Sequence, residues 1–165
     1  MLTGLPPLVS PQTRLLILGS FPGTASLAAQ QYYGHPSNHF WPILQAIWPS
    51  SPGNTCASSY QIRSEWLLAR GLGLWDVYAN CEREGSLDSR IRSPVLNDLA
   101  SLKELCPNLA AIAHNGGESF RHAQHTRQLG LPVYRLPSSS PANASWSFER
   151  KLAAWRKVFE QHGLI

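Results

Sequence analysis

Four short apolar runs set what this chain can become: "RLLILG" (residues 14–19), "GLGLWDVY" (71–78), "LAAIAH" (109–114) and "PVYRL" (132–136). Each is too short for a buried helix and fits a strand covered on both faces, with 73–78 the core of the second. Helical patterns fill the intervals. Asn38 can cap "HFWPILQAIW", whose Pro42 falls within the first turn, where a missing backbone donor does no harm. Ser59 can open "YQIRSEWLLAR", Ser93-Pro94 reads as an N-cap followed by proline at the first helical position, and "GESFRHAQHTRQLG" closes on a glycine. The last stretch, "SWSFERKLAAWRKVFEQHG", puts Phe148, Leu152, Trp155 and Phe159 on one stripe. Strands separated by helices pair in parallel through right-handed crossovers, so the spacing predicts an α/β fold with helices on both faces of a central four-stranded parallel sheet.

At 165 residues, 43% of them hydrophobic, the chain can build one substantial core, and residues 1–165 are read as a single domain. No run approaches the ~18 to 20 uninterrupted apolar residues of a membrane helix. "MLTGLPPLVSPQ" lacks the basic and apolar regions of a secretory signal, so the expected location is cytoplasmic, with no membrane contact. Cys56, Cys81 and Cys106 contain no C-x-x-C pair and are odd in number, which predicts reduced thiols rather than a disulfide or metal framework. The Pro/Ser-rich "WPSSPGNTCASS" (48–59) reads as a surface loop. Lys and Arg exceed Asp and Glu by 14 to 10, a net +4 that suits a modest polyanion-binding face without demanding one.

Ligands of parallel α/β sheets bind at the carboxyl ends of the strands. Four loops converge there: "GSFPGTASLAAQQYYGHPSN", "ANCEREGSLDSRIRS", "HNGGES" and "LPSSSPANAS". Familiar phosphate cradles are missing from them. "GSFPGTAS" has no Gly-Lys-Ser/Thr ending, and "GLGLWD" lacks the third glycine of a dinucleotide fingerprint and lies inside a strand, which argues against ATP and NAD. No G-x-S-x-G elbow is present. His35 with His39 and His122 with His125 have no acidic partner at H-E-x-x-H spacing and read as surface or capping histidines, so neither a metal nor a cofactor is expected. What remains is aromatic faces, carboxamides, serines and glycines. Rings stack on a flat heterocycle, amides read its polar edge, and Ser/Gly loops offer backbone donors to phosphates. The set suits a nucleobase site beside a phosphodiester backbone.

In this order the motifs resemble the uracil-DNA glycosylase superfamily, a three-layer α/β/α fold whose members flip a damaged base from the duplex and cut its N-glycosidic bond. "GSFPG" stands where mismatch-specific members carry Gly-x-Asn-Pro-Gly, "HPSNHFW" is similar to their His-Pro-x-Asn-x-Phe-Trp, and "LPSSSPAN" is similar to their Pro-Ser-Ser-Ser loop. "GSFPG…SL…YYGHPSNHFW", "LWDVYANCEREGSLDSRI" and "HNGG" most resemble the hypoxanthine-DNA glycosylase branch, and the match spans residues 15 to about 147. The resemblance implies a monofunctional hydrolase in base excision repair, acting as a monomer on double-stranded DNA that contains a deaminated base, foremost hypoxanthine.

The same resemblance implies roles. Asn38 becomes the catalytic group that holds a water. Phe21, Tyr33, Asn115 and Asp76 fall on the base, Tyr33 as its exposed stacking ring, Asn115 with backbone amides as donor to the purine oxygen, and Asp76 as a supporting carboxylate. Ser138, Ser139, Ser140 and Asn143 face DNA phosphates, and Gly19, Ser20, Gly23 and His35 shape the loop backbone. Two departures from the family pattern matter. Phe21 replaces the Asp or Asn that positions water in most branches, and Ser138 replaces a His that steadies the leaving base, so no general acid is evident there.

Plainer readings stand beside these. Taken alone, Asn38 is a helix cap, and Phe40 and Trp41 are core. Asp76, Glu82 and Asp88 can pair with Arg83, Arg90 or Arg92 at the surface. A mismatch-directed uracil or thymine glycosylase shares "HPSNHFW" and "PSSS", and the Phe21 departure also fits a catalytically silent nucleic-acid-binding module. The lysines, Lys103, Lys151 and Lys157, are expected on helices away from the converging loops, so water rather than an amine is the expected nucleophile.

Overall fold

The computed structural model describes residues 1–52 and 59–165; Cys56 and half of the loop expected at 48–59 lie outside them. The elements run β1 (Leu2–Thr3), β2 (Leu15–Gly19), α1 (Thr24–Ala29), α2 (Phe40–Ile47), α3 (Tyr60–Ala69), β3 (Leu72–Asp76), β4 (Tyr78–Glu82), β5 (Arg92–Leu96), α4 (Leu102–Leu105), β6 (Ala111–Asn115), α5 (Gly117–Phe120), α6 (Ala123–Arg127), β7 (Val133–Leu136) and α7 (Phe148–Gln161). Single 3₁₀ turns at Asp88–Arg90 and Leu99–Ser101 flank β5.

The four apolar runs pair in parallel, in the order β3-β2-β6-β7. β2 and β3 are buried along their whole length, as strands covered on both faces must be. Alternation divides their side chains between two cores. Leu15 and Ile17 pack with Phe40, Leu44, Trp155 and Phe159 of α2 and α7, whereas Leu16 and Leu18 pack with Trp75, Leu102 and Leu129 on the opposite face. The α/β class with a central four-stranded parallel sheet is thus the observed fold. Ser59 caps α3 by accepting from the Ile62 N–H, and Ser147 caps α7 by accepting from the Arg150 N–H.

Three expectations fail. The stretch 71–78 does not continue as one strand: the chain leaves the parallel sheet after Asp76 and starts β4, the centre of an antiparallel sheet ordered β1-β4-β5. The helix expected from Ser93-Pro94 is instead the exposed strand β5. Proline disfavours the helical region for the residue before it, Ser93 takes a left-handed φ of 50°, and β4 supplies the pairing partners, Val95 opposite Asn80 and Arg92 opposite Glu82. "GESFRHAQHTRQLG" forms two short helices rather than one. Among the described residues no helix is long and apolar enough to cross a membrane. Cys81 and Cys106 are free, buried thiols.

Candidate active site

The last residue of every parallel strand, Gly19, Asp76, Asn115 and Leu136, reaches one cavity of about 690 Å³. Register explains the first pairing: Gly19 stands opposite Asp76 across β2 and β3. A Cβ on Gly19 would fall 2.5 Å from Asp76 Oδ1, so only glycine leaves that carboxyl its place on the cavity floor. Asp76 is 5% exposed, and among the described residues its Oδ2 has no hydrogen-bond partner. Burial, and then the negative charge of Asp88, push its pKa up to about 7 against the weaker pull of Arg83.

Asp88 itself belongs to the wall. The Ser20 hydroxyl donates to its Oδ1 at 2.7 Å, and Ser86 Oγ accepts from the Thr24 N–H at 2.8 Å, so the segment after β4 is pinned to the "GSFPG" loop and to the start of α1. The arginine pairs expected for these acids do not form. Arg83 donates to the Gly85 and Pro22 carbonyls and lies over the Phe21 ring, Arg92 donates to Ser89 and Ile91 carbonyls, and among the described residues the one ion pair is Glu118 with Arg121. Phe21 lines the cavity, but it is buried in the second core, under that guanidinium.

Asn115, at the end of β6, joins three segments. Its Nδ2 donates to the Tyr33 hydroxyl at 3.1 Å and to Ser139 Oγ at 2.9 Å, and its Oδ1 accepts from the Ser139 N–H at 2.9 Å. Both amide hydrogens are committed within the protein, so the reach from Asn115 to a purine oxygen is replaced by a positioning role. Tyr33 is half-buried rather than exposed, with a left-handed φ of 55° and one ring face stacked on Phe40 at 4.2 Å. Its ring borders the cavity from a fixed seat.

Asn38 also lines the cavity. Its Oδ1 accepts from the Phe40 N–H at 2.9 Å, satisfying the first donor of α2 from one residue ahead of the N-cap His39, which orients Nδ2 as a remaining donor. His35 is exposed at the rim and accepts from the Ser37 N–H. Gly23 lies where a Cβ would meet Ser86 Oγ at 3.3 Å.

The "PSSS" loop bonds mainly to itself. Ser138 Oγ accepts from the Ser140 N–H, Ser140 Oγ from the Ala142 N–H, and the Ser138 carbonyl from Asn143 Nδ2. Ser139 is 1% exposed, which removes it from the expected phosphate contacts; its carbonyl accepts from the His39 N–H at 2.9 Å. Beneath it lies a residue that sequence reasoning put elsewhere. Lys151 of α7 is 1% exposed and donates to the Ser140 carbonyl at 3.3 Å, with His39 Nδ1 at 3.1 Å. It braces the loop from behind without lining the cavity. Trp155 adds an Nε1–H bond to the Pro137 carbonyl. Asp88, read from the sequence only as an arginine partner, lines the cavity, and so do Arg135 and Trp146, to which no sequence signal points.

Residues 6–160 match the family model described as the uracil DNA glycosylase superfamily. A protein from Methanosarcina barkeri named hypoxanthine DNA glycosylase is 38% identical over 159 residues, covering 96% of this chain and 98% of that one. One of the same name from Methanosarcina acetivorans is 38% identical over 157 residues. A solution NMR structure from Methanosarcina acetivorans, provisionally described as a uracil DNA glycosylase, superposes with a TM-score of 0.83 at 36% identity and covers 97% of both chains.

Proposed function

The chain belongs to the uracil DNA glycosylase superfamily and is a DNA N-glycosylase, and we propose that the base it hydrolyses from DNA is foremost hypoxanthine. One observation carries the site assignment: the carboxyl ends of all four parallel strands open into a single cavity bordered by Tyr33, Asn38 and the "PSSS" loop. Its volume accommodates a purine, and the names of the two relatives favour the deaminated one. The working unit is residues 1–165 acting as a monomer on double-stranded DNA.

Chemistry follows from the groups present. A base extruded from the stack lies against Tyr33, whose free face supplies stacking worth about 1–3 kcal/mol. As the N-glycosidic bond lengthens, positive charge builds on the sugar. Asn38 Nδ2 donates to the oxygen of a water and holds it for attack on C1′, a contribution through orientation rather than through proton removal. Ser138, Ser140 and Asn143 present the loop to the flanking phosphates, while Ser139 and Asn115 hold it in place.

The test is direct. Purified protein is incubated with duplexes containing hypoxanthine, uracil or a G·T mismatch, followed by alkaline cleavage of abasic products. Preferred release from the hypoxanthine duplex is the expected result. Preference for uracil or thymine assigns the mismatch-directed activity instead, and no release from any duplex leaves a nucleic-acid-binding module.

A further inference from the structure

We propose that the Asp76 carboxyl is the general acid of this cavity and delivers a proton to N7 of the departing purine, an inference that rests on the glycosylase reading above. The need is chemical. A purine that departs with the C1′–N9 electron pair and no proton leaves as an anion, and the cations around the cavity among the described residues are engaged elsewhere: Arg83 is turned to two carbonyls and the Phe21 ring, Arg135 at the wall lies over the Phe120 ring, and Lys151 is sealed behind the Ser140 carbonyl. A proton on N7 lets the base leave neutral.

Asp76 has the attributes of that donor. It sits on the cavity floor, admitted by the missing Cβ of Gly19, and its buried Oδ2 lacks the donors that an ionised carboxylate requires. The titratable groups that face it are Asp88 and Arg83 from the segment after β4 and the hydroxyls of Tyr32 and Tyr33 from the segment after α1, the tyrosines held neutral by burial. Asp88 has a different setting. It lies at the rim, exposed and accepting from the Ser20 hydroxyl; desolvation raises its pKa too, against the pull of that hydrogen bond, but of the two carboxyls it is the one that solvent reaches, so it ionises first and its charge keeps the proton on Asp76. The balance closes: C1′–N9 breaks with its pair passing to the purine, the Asp76 proton forms N7–H, water oxygen bonds C1′ and sheds a proton to solvent, and Asp76 regains one from solvent.

The experiment is single-turnover release from hypoxanthine, 7-deazahypoxanthine and 7-methylhypoxanthine duplexes across pH 5 to 9, by wild type, Asp76→Asn and Asp88→Asn. For wild type on hypoxanthine, the rate should fall about tenfold per pH unit above about 7. Asp76→Asn should lose about 10²- to 10⁴-fold and the alkaline limb with it. Asp88→Asn should move that limb to lower pH, because removing the neighbouring charge eases ionisation of Asp76. The 7-deaza duplex should bind wild type and resist cleavage. The cationic 7-methyl base departs neutral without an acid, so Asp76→Asn should release it nearly as fast as wild type, which also shows the variant folded. Equal losses by Asp76→Asn on the 7-methyl and unmodified bases, or an unchanged pH profile, overturn the proposal. If wild type releases hypoxanthine at no pH, the glycosylase reading fails and takes this inference with it.

Discussion

At the scale of single residues, the function proposed for Asn38 gives the two ends of one amide different tasks, and a substitution can separate them. Asn38→Asp keeps an oxygen for the Phe40 N–H and removes the donor, so thermal stability should hold while cleavage falls about 100-fold or more. Asn38→Ala should in addition lose about 1 kcal/mol of stability with the cap. Equal stability losses in both variants, with binding falling in step with cleavage, would reduce Asn38 to a cap. Asn115 is the opposite case, structure without free valence. Asn115→Leu strands the Ser139 N–H, so the melting temperature should drop by the equivalent of about 1–3 kcal/mol. That Asn38 and Tyr33 border the cavity was readable because each sits inside a short motif. The saturation of Asn115 was not, since its partners lie 82 and 24 residues away in sequence.

Among the elements, the four parallel strands were readable because a strand buried on both faces writes itself as a continuous apolar run. β5 was not: it is exposed throughout, held by pairing to β4, and Ser93-Pro94 carries the same letters as a helix start. Helix α7 was readable in its apolar stripe, yet the stripe hid Lys151, a cation on the buried side. Burial lowers the pKa of that amine, and no carboxylate among the described residues pairs with it. Lys151→Met should leave the melting temperature unchanged or raise it, because a buried charge goes. Cleavage should still fall about tenfold, because the brace between the "HPSNHFW" turn and the "PSSS" loop goes too. A fall in melting temperature with unchanged cleavage would show that the brace serves the core alone.

For the molecule as a whole, two buried groups oppose each other in pH. His114 is fully buried, bonded to Ser119 and Thr126 hydroxyls, and desolvation lowers its pKa from 6.5 to about 4. Its contribution to stability is present above pH 6.5 and is lost as pH falls toward 4. Asp76 runs the other way: with its pKa raised from 3.8 to about 7, its contribution is present below 3.8 and is lost as pH rises through 7. Between about pH 4 and 6.5 the two slopes offset, so melting temperature should hold level there and fall as pH rises through 7, and Asp76→Asn should melt higher than wild type at pH 8. A wild-type maximum above pH 8 would contradict the Asp76 assignment. The product should be an intact abasic strand, with no borohydride-trapped adduct, because neither Lys151 nor Met1 lines the cavity. One feature also governs how this protein can fail. Tyr33 comes from the first quarter of the chain, Asn115 from past its midpoint and Ser139 from its last fifth, and they meet on a single carboxamide. No partly folded chain can hold a partial version of that junction, so heat inactivation and loss of helical ellipticity should trace one curve, with no dim, half-active species between them.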